Sequence, residues 1–158
     1  MSSAAIITAW TTALEALSEF GSGDVVTDDW SILDQVGSHE SSPYFIWHVP
    51  DTFISRKDVP TAVDIWEIEG ELILRFVKWP TTKVLFDATR QNILDKFNSV
   101  NTLRSPVTES DLQEIRANGP IEAIYDISAF DNQGVILPEA LPMWLSQKWL
   151  FIIQEGFD

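Results

Sequence analysis

The chain has 158 residues, 24 of them acidic against 10 basic, a formal charge of −14 and no cysteine. Phosphate binding draws on clustered Lys and Arg that release counterions, so ten scattered bases argue against direct nucleic-acid binding. The lack of thiols excludes disulfides, cysteine nucleophiles and Cys-based zinc sites together, and fits a protein made in a reducing cytosol.

With 45 % apolar residues, including seven Trp and nine Phe, the sequence is too rich in core-forming side chains for a disordered chain. A chain of this size buries roughly 70 % of the surface its unfolded form exposes, and residues 1–158 are read as a single domain. No apolar run approaches the ~20 residues of a spanning helix. Met1-Ser2-Ser3 also lacks the basic opening of a signal peptide, so no membrane association is expected.

Ile6, Trp10, Leu14, Leu17 and Phe20 recur at three- and four-residue spacing, which predicts a helix over residues 3–20, capped by Ser2 or Ser3 and stopped by Gly21. Residues 21–43 are rich in Gly, Ser and Asp and read as a long loop. Tyr44 to Val49, aromatic and β-branched, predicts a strand closed by Pro50. Arg56-Lys57 is the only adjacent basic pair, in a polar connection that ends at Pro60. Thr61–Ile68 and Glu71–Trp79 read as two strands of a hairpin turning at Glu69-Gly70, the second apolar on both faces and therefore central.

After Pro80, Thr81 or Thr82 can cap a helix carrying Phe86, Ile93, Phe97 and Val100. Thr108 with Asp111 resembles a capping box, and Leu112 and Ile115 give a narrow apolar face, so a second small helix is expected up to Gly119-Pro120. Ile121–Phe130 alternates as a half-exposed strand, Asp131-Asn132-Gln133-Gly134 is a turn, and Val135–Leu137 is short. Pro138 and Pro142 break the next stretch, and Gln147–Gln154 closes the chain as a strand with Trp149, Phe151 and Ile153 on one side. The implied fold class is α+β: a mostly antiparallel sheet of about four to five strands with the N-terminal and central helices packed on one face.

The chemistry-bearing residues form no familiar site. His39 and His48 lack metal-ligand spacing, Asp24, Asp28, Asp29 and Glu40 lack the calcium-loop pattern, and Glu67, Glu69 and Glu71 read as the polar side of strands rather than an acid–base pair. Gly21-Ser22-Gly23 does not make a phosphate loop, and Ser38, Ser41 and Ser42 lack a nucleophile elbow. No catalytic, cofactor or metal site is therefore expected, although carboxylates that meet only in three dimensions leave an enzyme conceivable. Trp is enriched at protein interfaces. Trp66, Trp79 and Trp149 lie in strands and read as core, whereas Trp30 and Trp144, in loop or breaker-rich surroundings, are the candidate interface anchors.

The segment Ser42-Pro43-Tyr44-Phe45-Ile46-Trp47, the polar link to Trp66-Glu67-Ile68-Glu69-Gly70-Glu71-Leu72-Ile73-Leu74-Arg75-Phe76, and the helix holding Asp87-Ala88-Thr89-Arg90-Gln91-Asn92-Ile93-Leu94-Asp95 resemble, in element order, the tail terminator (tail completion) proteins of long-tailed bacteriophages. The resemblance implies a virion structural protein with no enzymatic activity, made in the host cytoplasm. It would form a homo-oligomeric, hexameric ring on the tail tube protein, end tube growth and offer the surface met by a head completion or connector protein. DNA would pass through its lumen without specific binding. In that reading Arg56, Lys57 and Asp58 reach a neighbouring subunit or the tube. The acidic loop 21–42 and the segment 111–118 depart from the simplest family pattern. The alternative from residue chemistry is a small acidic binding or inhibitor protein that covers a basic partner surface.

Overall fold

A computed structural model describes residues 3–30, 43–48, 52–56, 63–106 and 110–156. Its spine is two long strands, β4 (Val63–Arg75) and β7 (Trp144–Gly156), paired antiparallel in one unbroken register from Val63–Gly156 to Arg75–Trp144. Four strands flank this spine, two on each side. β2 (Tyr44–Trp47) pairs with residues 70–73 of β4, and β3 (Thr52–Arg56) with its other half. β5 (Ser110–Ala117) and β6 (Glu122–Ile124) divide β7 in the same way. A seventh strand, β1 (Val25–Thr27), lies parallel to β2 and makes the sheet mixed. The α+β class therefore holds, but the described residues contain seven strands rather than four to five, because each flank is built from two short pieces and the acidic loop adds one.

Three helices cover one face: α1 (Ser3–Glu15), α2 (Thr81–Ser99) and α3 (Asn101–Arg104). Alternation along the strands sends Phe45, Trp47, Leu72, Leu74, Phe151 and Ile153 to that face, where they meet Ile6, Trp10, Leu14, Phe86, Ile93 and Phe97. Trp10 sits at the centre. Its ring lies 5.7 Å from Trp47, 5.5 Å from Phe97 and 5.1 Å from Phe151, and its Nε1–H donates to the Leu103 carbonyl at 2.8 Å. That bond ties α1 to α3, so the indole supplies packing and satisfies a buried polar pair. Regular helix ends at Glu15 rather than near Phe20. The next residues tighten into turns, with Leu17 and Phe20 amides donating three residues back, and Phe20 still reaches the core.

Two expected elements differ, each for an identifiable reason. Glu69-Gly70 is no turn: β4 runs straight through it. A β-carbon at residue 70 would lie 2.4 Å from the Phe45 ring, so glycine is present to let an aromatic ring pass over the backbone rather than to bend the chain. Sequence-adjacent strands do pair antiparallel, but they are β3 and β4, joined by residues 57–62. The segment around Asp111–Asn118 is a strand, β5, rather than a small helix. Its register shifts between Leu112 and Glu114, and this bulge places Leu112 opposite Ile153 and Ile115 opposite Phe151 on the same face. A three-residue apolar spacing therefore imitates a helix. Of the strand expected over 121–130, only Glu122–Ile124 is extended; Ile127–Ala129 forms a 3-10 turn.

Because Phe45 occupies the space above Gly70, the Gly70→Ala variant should lose about 1–3 kcal/mol of stability through overpacking. A true turn glycine in a polar joint would tolerate alanine far better. Urea unfolding of the two proteins checks this, with equal midpoints contradicting the mid-strand account.

Candidate interaction surface

The outer face of the sheet, away from the helices, carries a second small core of Tyr44, Ile46, Ile73 and Trp144, with Val26 beside it. Trp144 lies in β7 and is only 4 % exposed, with Tyr44 at 6.0 Å and the Arg75 guanidinium carbon 5.7 Å from its ring centroid. It is therefore a core residue and not the exposed anchor that its Pro-rich surroundings suggest. Burial pushes the Tyr44 hydroxyl above its usual pKa, Asp24 raises it further, and Arg75 opposes both.

Next to this cluster the Ser146 hydroxyl donates to Glu71, whose other oxygen lies 3.6 Å from His48 Nε2. The Nδ1 of the same ring is 3.9 Å from Asp28, and the Trp30 ring is 5.5 Å away. Glu71 is buried rather than on a solvated strand side, and Asp24, expected in a solvated loop, is also buried, accepting the Gly21 N–H at 2.7 Å. The carboxylate stands between hydroxyl and imidazole, so His48 is not placed to take a proton from Ser146 as a base would. The arrangement is a polar bridge linking β2, β4 and β7. No group of three or more His, Asp or Glu side chains suited to a metal is found among the described residues, and no helix there is long and apolar enough to cross a membrane.

The unusual feature of the surface is where large apolar side chains remain in solvent. Among the described residues eleven are exposed, and seven of these fall between Ile124 and Met143, including Ile127 at 86 %, Leu141 at 64 % and Val135 at 58 %. Three more, Val77, Trp79 and Val84, lie at the junction of β4 and α2, and the remaining one is Trp30. Scattered single exposures are ordinary, but two dense stretches are not. Covering a side chain such as Ile127 or Leu141 fully is worth about 1.5–3 kcal/mol each.

Residues 125–143 leave the sheet after β6 and form an arm that is held by its own hydrogen bonds. Asp131 accepts from the Gln133 and Val135 amides at 2.8 and 3.0 Å, Gly134 takes the left-handed φ of 78°, and Phe130 bridges to Ile136. The expected turn at Asp131–Gly134 is thus present, at the tip of a short ribbon. At the root of the arm the Met143 N–H donates to Ile124 and the Phe76 N–H donates to Met143, which sets the arm and the Val77–Val84 stretch at the same end of the sheet.

Arg56 closes β3 next to the connection, whereas Lys57 and Asp58 lie outside the described residues, as do His39, Glu40 and the loop serines. Trp30 is 42 % exposed and available for contact; Trp79, read as core, is 51 % exposed. Sequence reasoning passed over Ile127, Leu141 and Val84. The available signal was Val135-Ile136-Leu137 between Gly134 and Pro138, an apolar run with no alternation to assign it a buried face. No protein-family model and no curated protein matches the chain.

The raised Tyr44 pKa gives a pH dependence with a defined sign. The folded state favours the neutral phenol, so this stabilisation is fully present below the ordinary value of 10.0 and disappears as pH rises through the folded-state pKa. Thermal unfolding of wild type should therefore weaken more steeply above about pH 10 than that of Tyr44→Phe. Parallel pH profiles for the two would contradict the assignment.

Proposed function

We propose that this chain is a structural subunit of a bacteriophage tail, forming a ring that ends the tail tube and presents the surface joined by the head. The observation that carries the reading is the concentration of exposed apolar side chains in the arm and at the β4–α2 junction of an otherwise strongly charged chain. A protein at −14 repels its own copies. Assembly must draw on apolar or charge-paired contacts, and these stretches supply apolar area. The order of helix, strands, helix and strands supports the same reading by its likeness to tail terminators. An acidic lumen would repel DNA and let it slide through without adhering.

In this reading the end of β3 and the connection after it, with Arg56, Lys57 and Asp58, meet a neighbouring subunit or the tube protein. Bases there would offset part of the like-charge repulsion between copies.

Light scattering over a range of concentration and salt, with electron microscopy of the assembled fraction, tests the function. A ring of about six copies, formed alone or on tail tubes, is expected; a monomer that never caps tubes would instead favour an acidic protein acting on a basic partner. Arg56→Glu combined with Lys57→Glu should weaken ring or tube assembly while leaving the circular dichroism spectrum of the monomer unchanged. Unaltered assembly would remove those residues from the interface.

A further inference from the structure

The two exposed apolar stretches carry opposite charge. The arm and β6 at its root contain Glu122, Asp126, Asp131 and Glu139, all exposed, and no base occurs between Arg116 and Lys148. Residues 77–90 hold Lys78, Lys83 and Arg90 against the single acid Asp87, three bases less one acid, a local charge of +2 in a chain of −14. Asp87 is shared by Lys83 at 2.7 Å and Arg90 at 3.4 Å, so Lys78 and half of the summed Lys83 and Arg90 charge remain to be matched. Here an open groove of about 470 Å³ runs along the start of α2, lined by Pro80, Thr81, Val84, Leu85 and Ala88. The Thr82 hydroxyl accepts from the Val77 and Lys78 amides at 3.0 and 3.2 Å and fixes the chain that enters α2 beside the groove.

We propose that the arm of one copy seats in the α2 groove of a second copy, with Ile127 and Leu141 covering Val84 and Trp79, and the arm carboxylates facing Lys78 and Lys83. Within one copy neither surface covers the other, since Ile127 is 86 % and Val84 66 % exposed. An acidic arm meeting another acidic arm would be repelled, whereas arm against groove matches both apolar area and charge. Made once per interface, this contact is head-to-tail and closes into a ring when its rotation divides a full turn; made twice, it gives a reciprocal pair. The arm is ordered by its own hydrogen bonds, so little entropy remains to be lost when it docks. This contact rests on the ring reading and supplies its interface.

Two variants on exposed positions test it: an arm variant, Ile127→Glu with Leu141→Glu, and a groove variant, Val84→Glu. Light scattering should show each alone as a monomer at concentrations where wild type assembles. Mixing them should restore one-to-one pairs, because the mixture retains one intact arm and one intact groove. Lys78→Glu with Lys83→Glu leaves the apolar surface unchanged and should weaken wild-type assembly by about tenfold or more. Rings that persist in both apolar variants, or a mixture that remains monomeric, would overturn the contact without touching the ring reading. A wild type limited to reciprocal pairs, broken by either variant and restored by mixing, would retain the contact and overturn the ring. A wild type monomeric throughout would overturn both.

Discussion

The register of β4 against β7 is the constraint on which the rest depends. Thirteen residues of each strand pair without a shift, and every other strand except β1 is placed by one of these two. A slip of one residue would turn Trp149, Phe151 and Ile153 away from the helices and bring Lys148 and Gln154 inward. Trp10 locks the register from above. It touches Phe151 of β7, Trp47 of β2 and Phe97 of α2, and bonds to Leu103 of α3, so the helices and the sheet share one aromatic centre. Such a core needs no disulfide, consistent with a chain without cysteine.

That same spine explains how the exposed surfaces arise. β7 is longer than either strand on its outer edge, so β5 and β6 share that edge, and the chain leaves the sheet after Ile124 and returns at Trp144. On the other side β4 ends at Arg75, and the chain crosses Val77–Pro80 before α2. Both departures occur at one end of the sheet, where Phe76 and Met143 add a further backbone bond beyond the ladder. The large apolar side chains of both departures stay mostly in solvent, although Trp79 packs against Phe76 at 4.9 Å and Ala129 is buried. These exposed apolar side chains, on a protein with strong self-repulsion, are the surface on which the proposed assembly rests.

Much of the fold was legible because its signals were periodic. Helical spacing located α1 and α2, alternation gave the buried faces of β4 and β7, and apolar residues on both sides of β4 marked it as central. The failures came where one residue served two purposes. Gly70 has turn chemistry, yet it is required by the Phe45 ring, a partner that no local window contains. The bulge at Gln113 gave β5 the apolar spacing of a helix. Burial of Glu71 depends on Ser146, seventy-five positions away in sequence. The candidate surface was the least legible part, since exposure belongs to the assembled tertiary structure. Trp144 and Trp79 illustrate this: the first lies among breakers and is buried, whereas the second closes an apparent strand and stands in solvent.

If the apolar stretches are the working surface, they must become covered when the protein assembles, while the core does not change. Hydroxyl-radical footprinting of the dilute and assembled protein reads this directly, side chain by side chain. The account predicts strong protection of Trp79, Ile127 and Leu141 on assembly, with Trp10 and Trp149 unreactive in both states. Equal labelling of Trp79, Ile127 and Leu141 before and after assembly would contradict it.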